Sequence, residues 1–117
     1  LEDKVVEFDA AAFGVVGLET SLAVALTHLV ANDMLVPADL VERMSVAPCR
    51  ILGLPGGTLA EGSPADITII DPRPTWTVEP ANFFSKARNS AFTGCQLQGY
   101  ARYTILGGRV VHERSGP

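Results

Sequence analysis

From Leu18 to Ala31 the sequence is apolar on nearly every side of a helix, and this constrains the fold more than any other stretch. Leu18, Leu22, Ala25, Leu26 and Leu29 recur at helical spacing and mark one buried face. Ala23, Val24 and Val30 occupy the other side, so the helix is predicted to be covered on two sides. Glu19 lies near its start, where a carboxylate favours the helix dipole. The entry to this helix is Phe13-Gly14-Val15-Val16-Gly17-Leu18-Glu19-Thr20. A glycine turn at a helix start can bring backbone N–H groups close to a polar or anionic ligand. It can equally serve only to turn a loop into a helix, and spacing alone leaves both readings open.

After this helix, Asn32-Asp33 breaks the pattern and Pro37 restarts a helix at its first turn. Leu40, Val41 and Met44 are expected to face inward while Asp39, Glu42 and Arg43 stay wet. Ser45 is predicted to cap a further short helix carrying Pro48 in its first turn, ended by Gly53 in a left-handed conformation. At Leu54-Pro55-Gly56-Gly57 turn chemistry replaces helical periodicity. Asp66–Asp71 is then a β-rich run bounded by Pro72 and Pro74, with Thr75–Val78 as a second, shorter strand. Asp66 and Asp71 are expected to serve turns. Glu79 to Gly99 reads as loop, with a helical turn around Phe83-Phe84. Tyr100–Leu106 and Arg109–Glu113 form a hairpin across Gly107-Gly108. That loop places Leu106 opposite Arg109, Ile105 opposite Val110, Tyr103 opposite His112 and Arg102 opposite Glu113, making His112 a cross-strand partner of Tyr103. The Ser115-Gly116-Pro117 tail should fray.

The chemical inventory is thin. A formal net charge of −4 without a basic run argues against nucleic acid as a partner. Cys49 and Cys95 show no paired spacing and read as reduced thiols of a cytosolic protein. No apolar run approaches the roughly 18 residues of a membrane span, and no signal peptide opens the chain. Glu2, Asp3, Glu7 and Asp9 lack the spacing and turn glycine of a calcium loop, and read as a solvated acidic loop. His28 has Val24 and Asn32 one turn away, which are not metal ligands, so it reads as structural. Neither histidine sits in a nucleophile motif, and no phosphate loop or dinucleotide fingerprint is present. The chain lacks a complete active site, with no catalytic and no metal-ligating residue of its own. Starting at Leu1 within loop-like sequence, it looks like a piece of something longer.

Four stretches, in order, resemble one family. Glu7-Phe8-Asp9-Ala10-Ala11-Ala12-Phe13-Gly14-Val15-Val16-Gly17-Leu18-Glu19-Thr20 looks like the segment after the last metal-site strand in dihydroorotases of the larger bacterial type. Met44–Leu54 resembles the family's late helix. Gly62–Asp71 resembles a strand shared widely among metal-dependent amidohydrolases. Asn82–Gly94, followed by the Gly107-Gly108 hairpin, resembles the dihydroorotase C-terminus. The Gly-Leu-Glu-Thr run and the Ser85–Gly94 stretch are the most specific. Ala12 and Ala91 stand where the family often has proline, and Cys95 where an aromatic is common.

The resemblance implies an α/β fold: the C-terminal fragment of a (β/α)8 amidohydrolase barrel, with its closing loop and helices, followed by strands of a small β-sandwich. Residues 1–53 would end the catalytic barrel, and residues 54–117 would form the sandwich portion with its connecting loop. It implies the reversible, zinc-dependent interconversion of dihydroorotate and N-carbamoyl-aspartate in pyrimidine biosynthesis, in the cytoplasm. In the family, metal-bound water attacks the cyclic amide, and an Asp at the end of the last strand moves the proton. That Asp would lie just before Leu1, and the zinc ligands earlier still. Carried over by residue, only Phe13 and Gly14 match the family's substrate-contacting pair, where backbone groups would meet the pyrimidine ring. The implied partners are this small-molecule substrate, with homodimerisation or association with aspartate carbamoyltransferase, and neither nucleic acid nor membrane.

Other functions compete with this one. Allantoinase and dihydropyrimidinase are sister readings, and a non-catalytic dihydroorotase-like scaffold subunit belongs to a different class. A free-standing β-sandwich binding module fits poorly with first 53 residues that are mostly loop and helix. A His-x-His pair and a terminal Asp upstream of Leu1 would separate enzyme from scaffold. The 117-residue chain alone is expected to have no hydrolase activity and to bind no stoichiometric zinc.

Overall fold

A computed structural model describes residues 5–11 and 13–115. The expectations for Glu2, Asp3 and Ala12, and for fraying at Gly116-Pro117, lie outside the described residues. A helical layer packs against a three-stranded antiparallel sheet of order β1-β2-β3.

Helix α1 (Ser21–Ala25) continues directly into a π-helical turn, Leu26–Val30. Its start differs from the expectation. Leu18, Glu19 and Thr20 form a turn in which the Thr20 and Ser21 N–H groups both bond the Gly17 carbonyl, at 3.2 and 2.9 Å. The Thr20 hydroxyl donates to that carbonyl as well, at 3.3 Å. The Ser21 bond already has helical spacing, but both Thr20 bonds span only three residues and tighten this lead-in turn; Leu18 lies in it, ahead of the helix, and is 92% exposed. The buried residues are Ala23 and Leu26, with Leu22, Ala25 and Leu29 half-buried. The small Ala23 lets the helix lie close on the sheet, in a core with Val78, Phe83 and Leu97.

One side chain ties this helix to the sheet. The Thr27 hydroxyl donates back to the Ala23 carbonyl at 2.7 Å and accepts the Gln98 N–H at 2.8 Å. Beside it, Gly99 has a φ of +77°, and a Cβ there would stand 2.4 Å from Leu26 Cδ1 and 3.1 Å from the Pro72 Cα. Glycine is needed at this crossing for both conformation and space.

Helix α2 (Pro37–Val41) starts with Pro37 in its first turn, as expected, and Asp39 accepts the Val36 N–H at 3.3 Å. Ser45 does not cap a new helix. The chain runs on through a π-helical turn, Glu42–Val46, into α3 (Ala47–Leu52). Pro48 explains the wide turn. A proline ring clashes with the carbonyl four residues earlier, and pairing the Ala47 N–H to the Glu42 carbonyl opens the backbone just before it. Gly53 closes α3 with a φ of +64°, and the Leu54 N–H bonds the Cys49 carbonyl at 2.9 Å. Leu40 is buried as expected, whereas Val41 and Met44 are about half exposed, at 49% and 44%. They face a cleft of about 480 Å³ beneath Ile67 and Ile70.

The two expected strands at Asp66–Asp71 and Thr75–Val78 are one long strand, β1 (Ile67–Thr77), with an irregularity between Asp71 and Thr75. Pro72 and Pro74 are accommodated because β1 is an edge strand of this sheet. Gln98 Nε2 reaches the Pro72 carbonyl at 2.8 Å across the gap. Val78 follows, fully buried. The expected helical turn is a 3-10 turn at Pro80–Asn82, just before Phe83. Strand β2 (Gln96–Leu106) starts earlier than Tyr100, so Gly99 lies inside a strand rather than in the loop.

Strand β3 (Arg109–Glu113) returns across Gly107-Gly108, both at positive φ as the hairpin requires. Asp66 Oδ1 accepts the Gly107 N–H at 2.7 Å, and Asp71 accepts the Arg73 N–H at 3.2 Å. Asp66 therefore serves the hairpin turn as expected, whereas Asp71 lies within β1 and bonds at its irregularity. Leu106 pairs with Arg109 and Ile105 with Val110 as expected, and then the register slips by one. His112 stands opposite Thr104 and Glu113 opposite Tyr103, so the Tyr103–His112 and Arg102–Glu113 pairs are not formed. Val111 is the extra residue of this bulge.

Candidate functional site

The sequence singled out Phe13 and Gly14, and the structure places them on an exposed loop leading into α1. Phe13 is 91% exposed. Gly14 has a φ of +61°, and a Cβ added there would meet nothing within 4 Å. Conformation, rather than crowding within the chain, makes glycine the fitting residue. Gly17 meets no crowding either and has no positive φ.

This loop is held from across the molecule. Asn89 Nδ2 donates to the Gly14 carbonyl at 3.1 Å, and the Asn89 carbonyl accepts the Val16 N–H at 3.3 Å. At the far end of the turn, the Glu19 carboxylate accepts the N–H groups of Phe84 and Ser85, both at 2.9 Å, and the Ser85 hydroxyl at 2.6 Å. Glu19 stands one residue ahead of the helix N-cap, outside its first turn, and its carboxylate is engaged by residues 84–85. Partial burial pushes its pKa up, but the Ser85 and Phe84 hydrogen bonds and the nearby Arg88 charge outweigh this and hold it below the usual carboxylate value. Arg88 in turn donates to the Ser85 carbonyl.

The supporting segment is itself anchored. The Val78 N–H bonds the Cys95 carbonyl and the Gly94 N–H bonds the Val78 carbonyl, both at 2.9 Å, closing its base on the core. Phe92 packs against that core. The two stretches that carried the most specific resemblance, Gly17–Thr20 and Ser85–Gly94, are therefore physical partners. Glu19, Ser85 and Asn89 escaped a reading by composition and spacing, and the only signal for them was that joint resemblance.

A second cleft, of about 560 Å³, lies on the sheet side and is lined by Trp76, Tyr100, His112 and Arg114. The Arg114 guanidinium sits 4.3 Å from the Tyr100 ring centre and 4.7 Å from that of Trp76. The Trp76 indole N–H donates to the Gly99 carbonyl at 3.0 Å. His112 meets the Phe84 ring edge-on, with centres 6.1 Å apart. His28 is exposed on the π-helical turn. Among the described residues, no three His, Cys, Asp or Glu side chains gather as a metal site. Nor is any helix among them long and apolar enough to cross a membrane. The loop at Phe13-Gly14 offers backbone polar groups and an exposed ring.

Known proteins place this arrangement. The chain is 51% identical to the dihydroorotase of Geotalea daltonii over 97% of its length, and 52% identical to that of Pelotomaculum thermopropionicum over 94%. It spans 27% and 26% of those proteins, about a quarter of the relatives' length. Among solved structures, the L-hydantoinase (dihydropyrimidinase) of Arthrobacter aurescens superposes with a TM-score of 0.84 at 36% identity, over 92% of this chain and 24% of that one. The D-hydantoinase of Thermus sp. shares the fold with a TM-score of 0.84 at 24% identity, over 96% of this chain and 26% of its own. The family model described as "Amidohydrolase family" matches residues 4–111, and over that near-complete span the chain belongs to the amidohydrolase family.

Proposed function

We propose that this chain is part of a dihydroorotase, contributing the substrate loop to an enzyme that interconverts dihydroorotate and N-carbamoyl-aspartate. The observation that carries the reading is the identity of about 50% to dihydroorotases over nearly the whole chain, against 36% to the hydantoinase structure. In this reading residues 1–53 finish a (β/α)8 barrel and residues 54–117 belong to a small β-sandwich completed by other parts of the protein. The exposure of Phe8, Phe13, Leu18, Ile51 and Phe84, each above 75%, supports packing against such parts.

The family implies a metal cofactor, and we take it to be zinc. The described residues do not fit it, since they form no ligand cluster. The ligands, and the Asp that moves the proton, are assigned to residues outside this chain. What the chain does is bind. Phe13 and Gly14 present backbone groups to the pyrimidine ring, on a loop whose geometry is set by Asn89 and Glu19. The protein works in the cytoplasm, as a homodimer or beside aspartate carbamoyltransferase.

A second reading, hydrolysis of another cyclic amide such as hydantoin, draws on the superposition with hydantoinases. The two separate by assay of the full-length protein that contains this chain. Ring opening of dihydroorotate is expected, with hydantoin and allantoin turned over at least about a hundredfold more slowly, a discrimination within reach of specific polar contacts. Preference for hydantoin would overturn the assignment, and absence of all turnover would favour a scaffold subunit. The 117-residue chain alone is expected to show neither turnover nor one equivalent of zinc by metal analysis.

A further inference from the structure

The loop proposed to meet substrate has little packing of its own. Phe13 and Val15 are exposed, and nothing lies near the open side of Gly14. A positive-φ residue with so few neighbours does not hold one orientation by contact alone. Asn89 supplies what packing does not, through two bonds that bracket Val15. Its side-chain amide fixes the Gly14 carbonyl and its own carbonyl fixes the Val16 N–H. Together they set the plane of the Gly14–Val15 peptide and of the one after it. Ser85 and the Phe84 N–H hold the other end of the turn through Glu19. Among the described residues, the Phe13 carbonyl and the Gly14 N–H have no backbone partner. In this trans peptide the carbonyl and the N–H point to opposite sides, so it offers the ring an acceptor on one side or a donor on the other, according to how its plane is turned.

We infer that Asn89, with Ser85 behind it, is a positioning residue for substrate binding, orienting the Phe13–Gly14 peptide toward the ring amide. The inference rests on the reading above that this peptide contacts the substrate. Asn89 acts through Gly14 and takes no part in bond breaking. Its loss should therefore appear in KM more than in kcat.

The test uses the full-length protein with dihydroorotate, comparing Asn89→Ala, Asn89→Asp and Ser85→Ala. Steady-state kinetics are read beside amide hydrogen exchange of residues 13–19 with and without dihydroorotate. Asn89→Ala is expected to raise KM about tenfold, the worth of one well-made hydrogen bond, with kcat changed less than about threefold. It should also speed exchange at Val16 in the ligand-free protein. Asn89→Asp keeps the shape but sets an acceptor against the Gly14 carbonyl, so its KM should exceed that of Asn89→Ala. A merely packing role for Asn89 ranks these two variants the other way. Ser85→Ala, which leaves both backbone bonds to Glu19, should give the smallest rise. If dihydroorotate protects residues 13–17 in the unmodified protein but KM is unmoved in both Asn89 variants, the inference is overturned and the substrate reading stands. If dihydroorotate gives no protection there at all, the reading beneath the inference fails and the inference with it.

Discussion

Two places where distant parts of this chain meet are built on opposite principles. At one, the helix begun by α1 lies on β2, and the contact is made mainly by shape: Ala23 packs with Leu97 and Gly99 gives Leu26 its room, with one hydrogen bond added by Thr27. At the other, the loop through Phe13-Gly14 lies along residues 84–89, and the contact is made almost wholly by hydrogen bonds near the surface. Shape complementarity in a core is unforgiving of volume and indifferent to pH. A polar seam tolerates volume and depends on which atoms donate and which accept. The rigid seam sets where the loop sits, and the polar seam sets how it points.

Substitutions can break that contrast. Gly99→Ala is expected to have the largest effect, a loss of about 2–3 kcal/mol, because the new methyl meets Pro72 backbone and the residue must keep a positive φ. Chemical denaturation of the full-length protein measures it, and a loss below about 0.5 kcal/mol would mean that the helix slides easily on the sheet. Thr27→Val comes next. It keeps the volume but leaves the Gln98 N–H and the Ala23 carbonyl without the hydroxyl that joins them, at a cost of about 1–2 kcal/mol by the same measurement. Thr27→Ser, which keeps the hydroxyl, should recover most of it.

The smallest effect belongs to the polar seam. Glu19 in the folded chain has its pKa held below the ordinary 4.5, so it binds a proton less readily there than in the unfolded chain. Its contribution is therefore complete above that ordinary value and fades as pH falls through the lower folded one. The amide proton resonances of Phe84 and Ser85 should titrate together, with a midpoint under 4.5. Glu19→Gln should abolish that titration while leaving the resonances of Leu97 and Gln98 in place. A midpoint above 4.5 would mean that burial outweighs the hydrogen bonds, and the seam would then be stronger in acid.

The sequence was most legible where a rule acts within a few residues. Gly53, Pro37 and the Gly107-Gly108 turn follow from steric limits acting on a few residues, and all are found as read. Legibility faded where two local rules competed. Ser45 was expected to cap a new helix with Pro48 in its first turn, and the helix instead widened into a π turn and continued. The hairpin fixed its first two pairs, but a bulge at Val111 slipped His112 past Tyr103, and no residue type announces such a bulge. Leu18 fits the helical stripe but lies in the tighter turn ahead of the helix, where the Thr20 N–H bonds the carbonyl three residues back at Gly17. The polar seam was the least legible part. Glu19 and Ser85 stand 66 positions apart, and nothing in charge, periodicity or propensity says that an exposed-looking glutamate takes three hydrogen bonds from a later loop.

Trp76 turns the shape-made seam into something that can be watched. It is the one tryptophan in the chain, its indole N–H is held by the Gly99 carbonyl, and its face lies under the Arg114 guanidinium. Any separation of α1 from β2 that moves Gly99 also frees that N–H to water and lifts the cation from the ring. Emission from this segment should then shift to the red and change in intensity together. In effect, the strand glycine that gives the helix its room also carries an optical gauge of whether the helix is there.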